Sequence, residues 1–113
     1  MRVLILDDQP GLAQVLAVGL RMEGFSVLAF TCPHEALKAM RDIDVLVTDY
    51  HMPGMTGPEV ARRAYVQGWK GSLVIISGHP ETFSEGIENS LVWSILEKPF
   101  STRELAKRLR NLA

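Results

Sequence analysis

The 113-residue sequence has one cysteine, a formal net charge of −1 and no long apolar run. Because Cys32 has no second cysteine to pair with, the chain forms no internal disulfide, which suits a reducing cytoplasm. The small net charge gives no reason to expect nucleic acid or a membrane surface as a direct partner. No apolar stretch approaches the roughly 20 residues of a membrane-spanning helix, and the stretch after Met1 is too short for a signal peptide.

Repeats, linkers and low-complexity segments are also missing from the sequence. A hydrophobic content of 47% with 22% charged residues is typical of a globular chain rather than a disordered one. The length suits one hydrophobic core, so we expect residues 1–113 to form a single domain.

Short apolar runs alternate with segments of helical periodicity along the chain. The runs at residues 3–6, 26–30, 45–47, 73–76 and 92–96 are typical of strands, several of them buried on both faces. Helices are predicted to start close to Pro10, Pro33, Thr56, Pro80 and Ser101. The third and the last have a glutamate three residues after a threonine or serine, which is the spacing of a capping box. The segment 80–90 is rich in poor helix formers.

Two helices have faces that the periodicity predicts. The first is expected to bury the side chains at i, i+3 and i+4 spacing, which are Leu12, Val15, Leu16, Gly19 and Leu20. The last is expected to bury its leucines and to expose four basic residues, which are Arg103, Lys107, Arg108 and Arg110.

Alternating strands and helices predict an α/β fold with a doubly wound parallel sheet, covered by helices on both faces. In such a sheet the carboxyl ends of all strands lie at one edge, where ligands bind. The predicted strands deliver five polar residues to that edge: Asp7, Asp8, Asp49, Ser77 and Lys98.

This set of residues suits metal-assisted phosphoryl transfer. Three neighbouring carboxylates repel one another unless a cation lies among them, and Mg²⁺ prefers oxygen ligands. Lys98 and Ser77 can bind phosphate oxygens. A carboxylate can also act as the nucleophile and form an aspartyl phosphate. Asp49 stands alone at a central strand end and is therefore the best candidate, which leaves Asp7 and Asp8 to the metal.

The order and approximate spacing of four motifs resemble the receiver domain of two-component response regulators, over essentially the whole chain. The motifs are Asp7-Asp8, Asp49-Tyr50-His51-Met52-Pro53-Gly54, Ser77-Gly78 and Lys98-Pro99-Phe100. The resemblance implies a flavodoxin-like (βα)5 fold with strand order 2-1-3-4-5. It also implies a bacterial cytoplasmic phosphoprotein, not an enzyme in its own right, that works as a monomer or weak dimer.

The resemblance also implies a role for each site residue. Asp49 accepts a phosphoryl group from the phosphohistidine of a sensor histidine kinase or histidine phosphotransfer domain. Mg²⁺ or Mn²⁺ is held by Asp8, Asp49 and the backbone carbonyl of His51, with Asp7 acting directly or through water. Lys98 contacts the phosphoryl group. The change then reaches an output protein or a fused kinase.

Further expectations from the resemblance concern signal transmission. Ser77 moves toward the phosphoryl group, and the Lys98-Pro99 bond is cis. Many receivers place an aromatic residue three positions before the lysine, where this chain has Ile95. We therefore expect the usual coupling of serine to an aromatic ring to be absent or replaced. His51 and His79 lie on loops at the same edge, where they either tune dephosphorylation or have no special role.

Two other functions stay open on the sequence. A pseudo-receiver would keep the fold and bind a partner without phosphorylation. A phosphatase of the haloacid-dehalogenase type also uses an aspartate nucleophile and Mg²⁺, but it needs a second aspartate two residues on, where this chain has His51. Separately, the acids could be only a charged helix start, Ser77 only a turn residue and Lys98 only a solvated lysine.

Overall fold

The computed structural model describes residues 1–78 and 93–112. Within them, five strands form one parallel sheet in the order β2-β1-β3-β4-β5. The strands are β1 (Arg2–Leu6), β2 (Ser26–Phe30), β3 (Val45–Asp49), β4 (Ser72–Ser77) and β5 (Trp93–Glu97). The predicted doubly wound sheet and its strand order are therefore confirmed.

Four helices connect and cover the strands in the described part of the chain. They are α1 (Pro10–Met22), α2 (Pro33–Lys38), α3 (Gly57–Val66) and α4 (Thr102–Leu112). The hydroxyl bond of each predicted capping box is present, because Thr56 Oγ1 accepts from the Glu59 N–H at 3.3 Å and Ser101 Oγ accepts from the Glu104 N–H at 3.1 Å. The helix predicted over residues 80–90 lies outside the described residues.

Each face of the sheet has its own hydrophobic layer, because successive strand residues point to opposite faces. In β1, Val3 and Ile5 pack with α1 and α4, whereas Leu4 and Leu6 pack with α2 and α3. The central strands are buried on both faces, which explains their continuous apolar runs.

The inner face of α1 differs from the predicted one. Its buried residues are Ala13, Leu16, Ala17 and Leu20. Val15 is predicted to face inward, but it is 64% exposed. The prediction is wrong because small alanines occupy the side nearest the sheet, which rotates the larger Val15 toward solvent.

The predicted solvent-facing side of α4 also needs one correction. Arg108 is only half-exposed, and its guanidinium donates to Ser94 Oγ and to the Ile95 carbonyl oxygen. Ile95 lies on β5, whose outer side has no neighbouring strand in the described sheet. A carbonyl on that side needs another donor, and Arg108 supplies it.

Candidate functional site

The register of the sheet brings the predicted polar residues to one edge. Leu6 pairs with Thr48, so Asp7 follows β1 beside Asp49 at the end of β3. Asp49 pairs with Ile76, which places Ser77 one residue further along β4. Ser77 pairs with Glu97, and Lys98 comes next.

Three carboxylates form a cluster at this edge. Oxygen atoms of Asp7, Asp8 and Asp49, one from each residue, all lie within 4.8 Å of one another. Asp7 is buried, Asp49 is half-buried and Asp8 is exposed. The cluster therefore has a buried side under the sheet edge and an open side toward solvent, through which an ion can enter.

Asp7 is the buried member, with 1% of its surface exposed. Its Oδ1 accepts from the Gln9 N–H at 2.9 Å, but its buried Oδ2 has no hydrogen-bond partner among the described residues. Burial raises the pKa of Asp7 above its ordinary value of 3.8, and the charges of Asp49 and Asp8 raise it further. The Gln9 N–H and the Lys98 charge act in the opposite direction.

Such a carboxylate suits a cation. A buried oxygen without a donor is costly, and like charges nearby add to that cost. A divalent ion among the three carboxylates would neutralise the repulsion and give Asp7 Oδ2 a partner. Carboxylate oxygens are the ligands that Mg²⁺ and Mn²⁺ prefer, so the residues fit such an ion.

Lys98 contacts Asp49. Its Nζ is 3.4 Å from Asp49 Oδ2, and its side chain is 34% exposed. The Lys98 N–H donates to the Ser77 carbonyl oxygen at 2.9 Å, which ties the end of β5 to the end of β4. The Lys98-Pro99 peptide bond is cis. Asp49 thus belongs to the cluster of acids and also contacts an ammonium group.

The other predicted site residues lie on β4, on β5 or shortly after β3. Ser77 is buried at the end of β4. His51 is exposed, and its ring meets the Tyr50 ring edge-on at a centroid distance of 4.9 Å. Ile95 is half-buried and packs against the layer under α2 and α3. His79 lies outside the described residues.

The sequence did not predict the contacts that two polar residues make. Thr48 is fully buried in β3 and donates to the Asp49 carbonyl oxygen. Its signal was available, because a lone hydroxyl inside an apolar strand requires a partner. The other is Arg108, whose hydrogen bonds connect α4 to β5. Helical periodicity predicts the face of one helix and cannot predict such a contact with a strand.

A groove of about 1070 Å³ lies away from these residues, between α2 and α3 at the opposite edge of the sheet. Lys38 and Arg63 line it, and each lies in the last turn of its helix. Basic residues are stabilised there by the helix carbonyl ends, so their presence needs no ligand.

In a doubly wound α/β domain ligands bind at the carboxyl edge of the sheet, and these acids and the lysine lie at that edge. The chain belongs to the response regulator receiver domain family, which matches residues 3–110. Receiver domains are signalling modules of two-component systems, and the predicted family is confirmed.

Curated relatives include complete response regulators. The chain is 32% identical over 113 aligned residues to the DNA-binding response regulator MtrA of Mycolicibacterium smegmatis, covering 96% of this chain and 49% of MtrA. It is 26% identical over 118 aligned residues to the response regulator SaeR of Staphylococcus epidermidis, covering 97% of this chain and 49% of SaeR. The chain thus spans about half the length of these relatives.

Solved structures include receiver domains of different origin. The receiver domain of the hybrid histidine kinase CckA superposes with a TM-score of 0.81 at 28% identity, covering 99% of this chain and 98% of that one. The chemotaxis protein CheY4 of Vibrio cholerae gives a TM-score of 0.88 at 27% identity, with the same coverage. Within the described ranges, none of the helices is long and apolar enough to cross a membrane.

Proposed function

We propose that this domain is the phosphoacceptor of a two-component phosphorelay and that Asp49 carries the phosphoryl group. The observation that supports this most directly is that Asp49 lies within 4.8 Å of the carboxylates of Asp7 and Asp8 and 3.4 Å from the ammonium group of Lys98. The donor is a phosphohistidine on a sensor histidine kinase or a histidine phosphotransfer domain.

The transfer is a single displacement at phosphorus. A carboxylate oxygen of Asp49 forms a bond to phosphorus while the bond from phosphorus to the donor imidazole nitrogen breaks. The electron pair of the broken bond stays on that nitrogen, and the donor ring carries a proton on its other nitrogen, so it leaves as a neutral imidazole. The products are an aspartyl phosphate and a histidine, and no oxidant or further reactant is needed.

The carboxylates of Asp7, Asp8 and Asp49 would hold Mg²⁺ or Mn²⁺, together with the backbone carbonyl of His51. When bound, the ion neutralises charge on the phosphoryl oxygens. The unpartnered buried Oδ2 of Asp7 is the feature that fits the ion best. Asp7 acts as a ligand itself or through a water molecule.

Lys98 and Ser77 would bind the transferred group. The ammonium of Lys98 already lies 3.4 Å from Asp49 Oδ2, so it is placed to contact phosphoryl oxygens added there. The Ser77 hydroxyl would donate to one of these oxygens. Both residues belong to strand ends that one backbone hydrogen bond joins, so a movement of one is transmitted to the other.

The exposed side of α1 is the surface that we propose for the partner kinase. Val15, Val18 and Met22 are 64%, 52% and 83% exposed and recur at helical spacing. The helix begins two residues after Asp8, so the stripe leads away from the acidic cluster. A helical partner packed on this stripe would bury apolar surface while presenting its phosphohistidine to Asp49.

Transmission to an output protein or a fused kinase would follow β5. Ile95 cannot rotate a ring inward as an aromatic residue does, but the bonds of Arg108 to Ser94 and Ile95 connect β5 to α4. We propose that the domain acts in the cytoplasm as a monomer or weak dimer. Its only chemistry is that of gaining and losing its own phosphoryl group.

The test is incubation of the chain with acetyl phosphate and Mg²⁺, followed by intact-mass analysis. The mass is expected to rise by one phosphoryl group, and Asp49→Ala is expected to abolish the gain. Asp44→Ala, which changes an acid at the opposite edge of the sheet, is the matched control and should be modified normally. A wild type that stays unmodified with both acetyl phosphate and a cognate kinase refutes the proposal.

The same experiment separates the alternatives. A pseudo-receiver would remain unmodified while still binding its partner. A haloacid-dehalogenase-type phosphatase would turn over a phosphate ester many times, yet position 51, where its second acid is needed, carries histidine.

A further inference from the structure

Thr48 is a polar side chain in an apolar strand, directly before the proposed phosphoacceptor. It is fully buried and points away from the α1 side of the sheet, as Leu46 does. Its Oγ1–H donates to the Asp49 carbonyl oxygen at 2.9 Å, and the Oγ1 lies 3.9 Å from Met52 Sδ. The hydroxyl therefore holds the backbone of Asp49 from behind.

The segment after Asp49 is held at both ends. The Tyr50 N–H donates to the Ile76 carbonyl oxygen at 3.1 Å, and the Tyr50 carbonyl oxygen accepts from the Gly57 N–H at 2.9 Å. Met52 is buried against the α3 side. His51 lies between these fixed points, so the direction of its carbonyl depends on how the Asp49 and Tyr50 peptides are oriented.

Gly57 shows how closely the Asp49 carbonyl is packed. A Cβ atom at position 57 would lie 2.6 Å from the Asp49 carbonyl oxygen and 2.8 Å from Thr48 Cγ2. The start of α3 therefore closes one side of this carbonyl, and the Thr48 hydroxyl donates to it. A change at Thr48 has to displace the carbonyl, since there is little free space to absorb it.

We infer that Thr48 is a positioning residue for the phosphoacceptor site. Its buried hydroxyl orients the Asp49 peptide, and thereby the Asp49 carboxylate and the His51 carbonyl, toward the metal. This inference rests on the proposed function, because it assigns Thr48 a part in the same metal binding and phosphoryl transfer. Thr48 itself touches neither the metal nor the phosphoryl group.

Two substitutions separate the hydroxyl from the bulk of the side chain. Thr48→Val replaces the hydroxyl with a methyl group, which cannot donate and would sit too close to a carbonyl oxygen now 2.9 Å away. Thr48→Ser keeps the donor and loses only the methyl group. Valine is also a good strand residue, so the fold should be retained.

The experiment measures Mg²⁺ affinity by calorimetry and the rate of phosphorylation by acetyl phosphate at saturating Mg²⁺, on the full chain. Thr48→Val is expected to weaken Mg²⁺ binding about tenfold, at the low end of the effects seen for residues that orient metal ligands. It should also slow phosphorylation. Thr48→Ser should restore both values to near those of wild type.

A control variant distinguishes positioning from general destabilisation. Val45→Ala removes buried surface at the other end of β3 and should lower stability in urea without changing Mg²⁺ affinity. The inference is overturned if Thr48→Val binds Mg²⁺ as wild type does, or if Val45→Ala weakens binding equally. If wild type neither binds Mg²⁺ nor becomes phosphorylated, the proposed function fails, and this inference with it.

Discussion

Without metal, Asp7→Asn should be more stable than wild type. It should gain less stability than wild type when Mg²⁺ binds. The asparagine Oδ1 can still accept from the Gln9 N–H, which Asp7 accepts at 2.9 Å. Its amide group would replace the buried Oδ2 that has no hydrogen-bond partner among the described residues, and it can donate to a neighbouring carboxylate. The substitution thus removes one buried negative charge without changing the size of the side chain.

The magnitude follows from the distances in the acidic cluster. Two unit charges 4.8 Å apart, the upper limit of the carboxylate separations here, repel by about 3.5 kcal/mol at an effective dielectric constant of about 20. The ammonium of Lys98, 3.4 Å from Asp49, offsets part of this repulsion. We therefore expect Asp7→Asn to raise the free energy of unfolding by about 1–2 kcal/mol at neutral pH without metal.

The pH dependence has a definite sign. Burial and the neighbouring acids raise the pKa of Asp7 in the folded state above 3.8, so the folded state binds this proton more tightly than the unfolded state. Asp7 therefore stabilises wild type fully below pH 3.8 and loses that contribution as the pH rises through its raised pKa. The advantage of Asp7→Asn should be largest at neutral pH and should vanish toward pH 3.8.

Urea unfolding with EDTA, and again with saturating Mg²⁺, measures these effects. Mg²⁺ stabilises the folded state by an amount that grows with its concentration relative to the dissociation constant. Wild type should gain more than Asp7→Asn, which has lost a ligand charge. A variant that is less stable than wild type in EDTA at neutral pH, or a difference that does not change with pH, would refute the electrostatic reasoning.

Three further variants address other parts of the domain. Lys98→Met keeps an unbranched side chain, one atom shorter, and removes its charge, and should slow phosphorylation by acetyl phosphate about 100-fold in intact-mass time courses. Val18→Glu places a charge on the exposed stripe of α1, and should lower phosphotransfer from the cognate kinase while acetyl phosphate still modifies Asp49. Leu109→Ala removes a fully buried side chain of α4 and should lower the free energy of unfolding by about 2–5 kcal/mol in urea.

Each of these three predictions has an outcome that would contradict it. Unchanged phosphorylation of Lys98→Met would remove the lysine from the proposed chemistry. Equal loss of both phosphodonors in Val18→Glu would indicate damage to the site rather than to a docking surface. A Leu109→Ala variant as stable as wild type would contradict the packing of α4 on the sheet, and Arg103→Ala on its exposed side is the matched control.

The elements of the fold could be read from local patterns. Strands such as β4 are continuous apolar runs because both of their faces are covered, and two helices begin at the hydroxyl caps that the sequence predicts. The sheet order was implied by the family resemblance. Rotation of α1 could not be read in this way, because Val15 and Ala13 satisfy similar spacings and only packing against the sheet selects the buried face.

In the candidate site, too, some features could be predicted from the sequence and others could not. Asp7, Asp8, Asp49 and Lys98 could be predicted to converge, because each follows a strand and parallel strands end at one edge. Their environments could not be predicted. Asp7 is buried and Asp8 next to it is exposed, which depends on how residues distant in sequence cover the end of β1.

The sequence by itself predicted which residues form the candidate site, because acids and a lysine at the ends of buried strands can be recognised from local pattern and chain topology. Among the three acids, Asp49 is singled out because it stands alone at the end of a central strand. Tertiary structure decided the contacts that tune that acid. The ammonium of Lys98, the hydroxyl of Thr48 and the unpartnered oxygen of Asp7 acquire their roles from distances and burial, which depend on the packing of the whole domain.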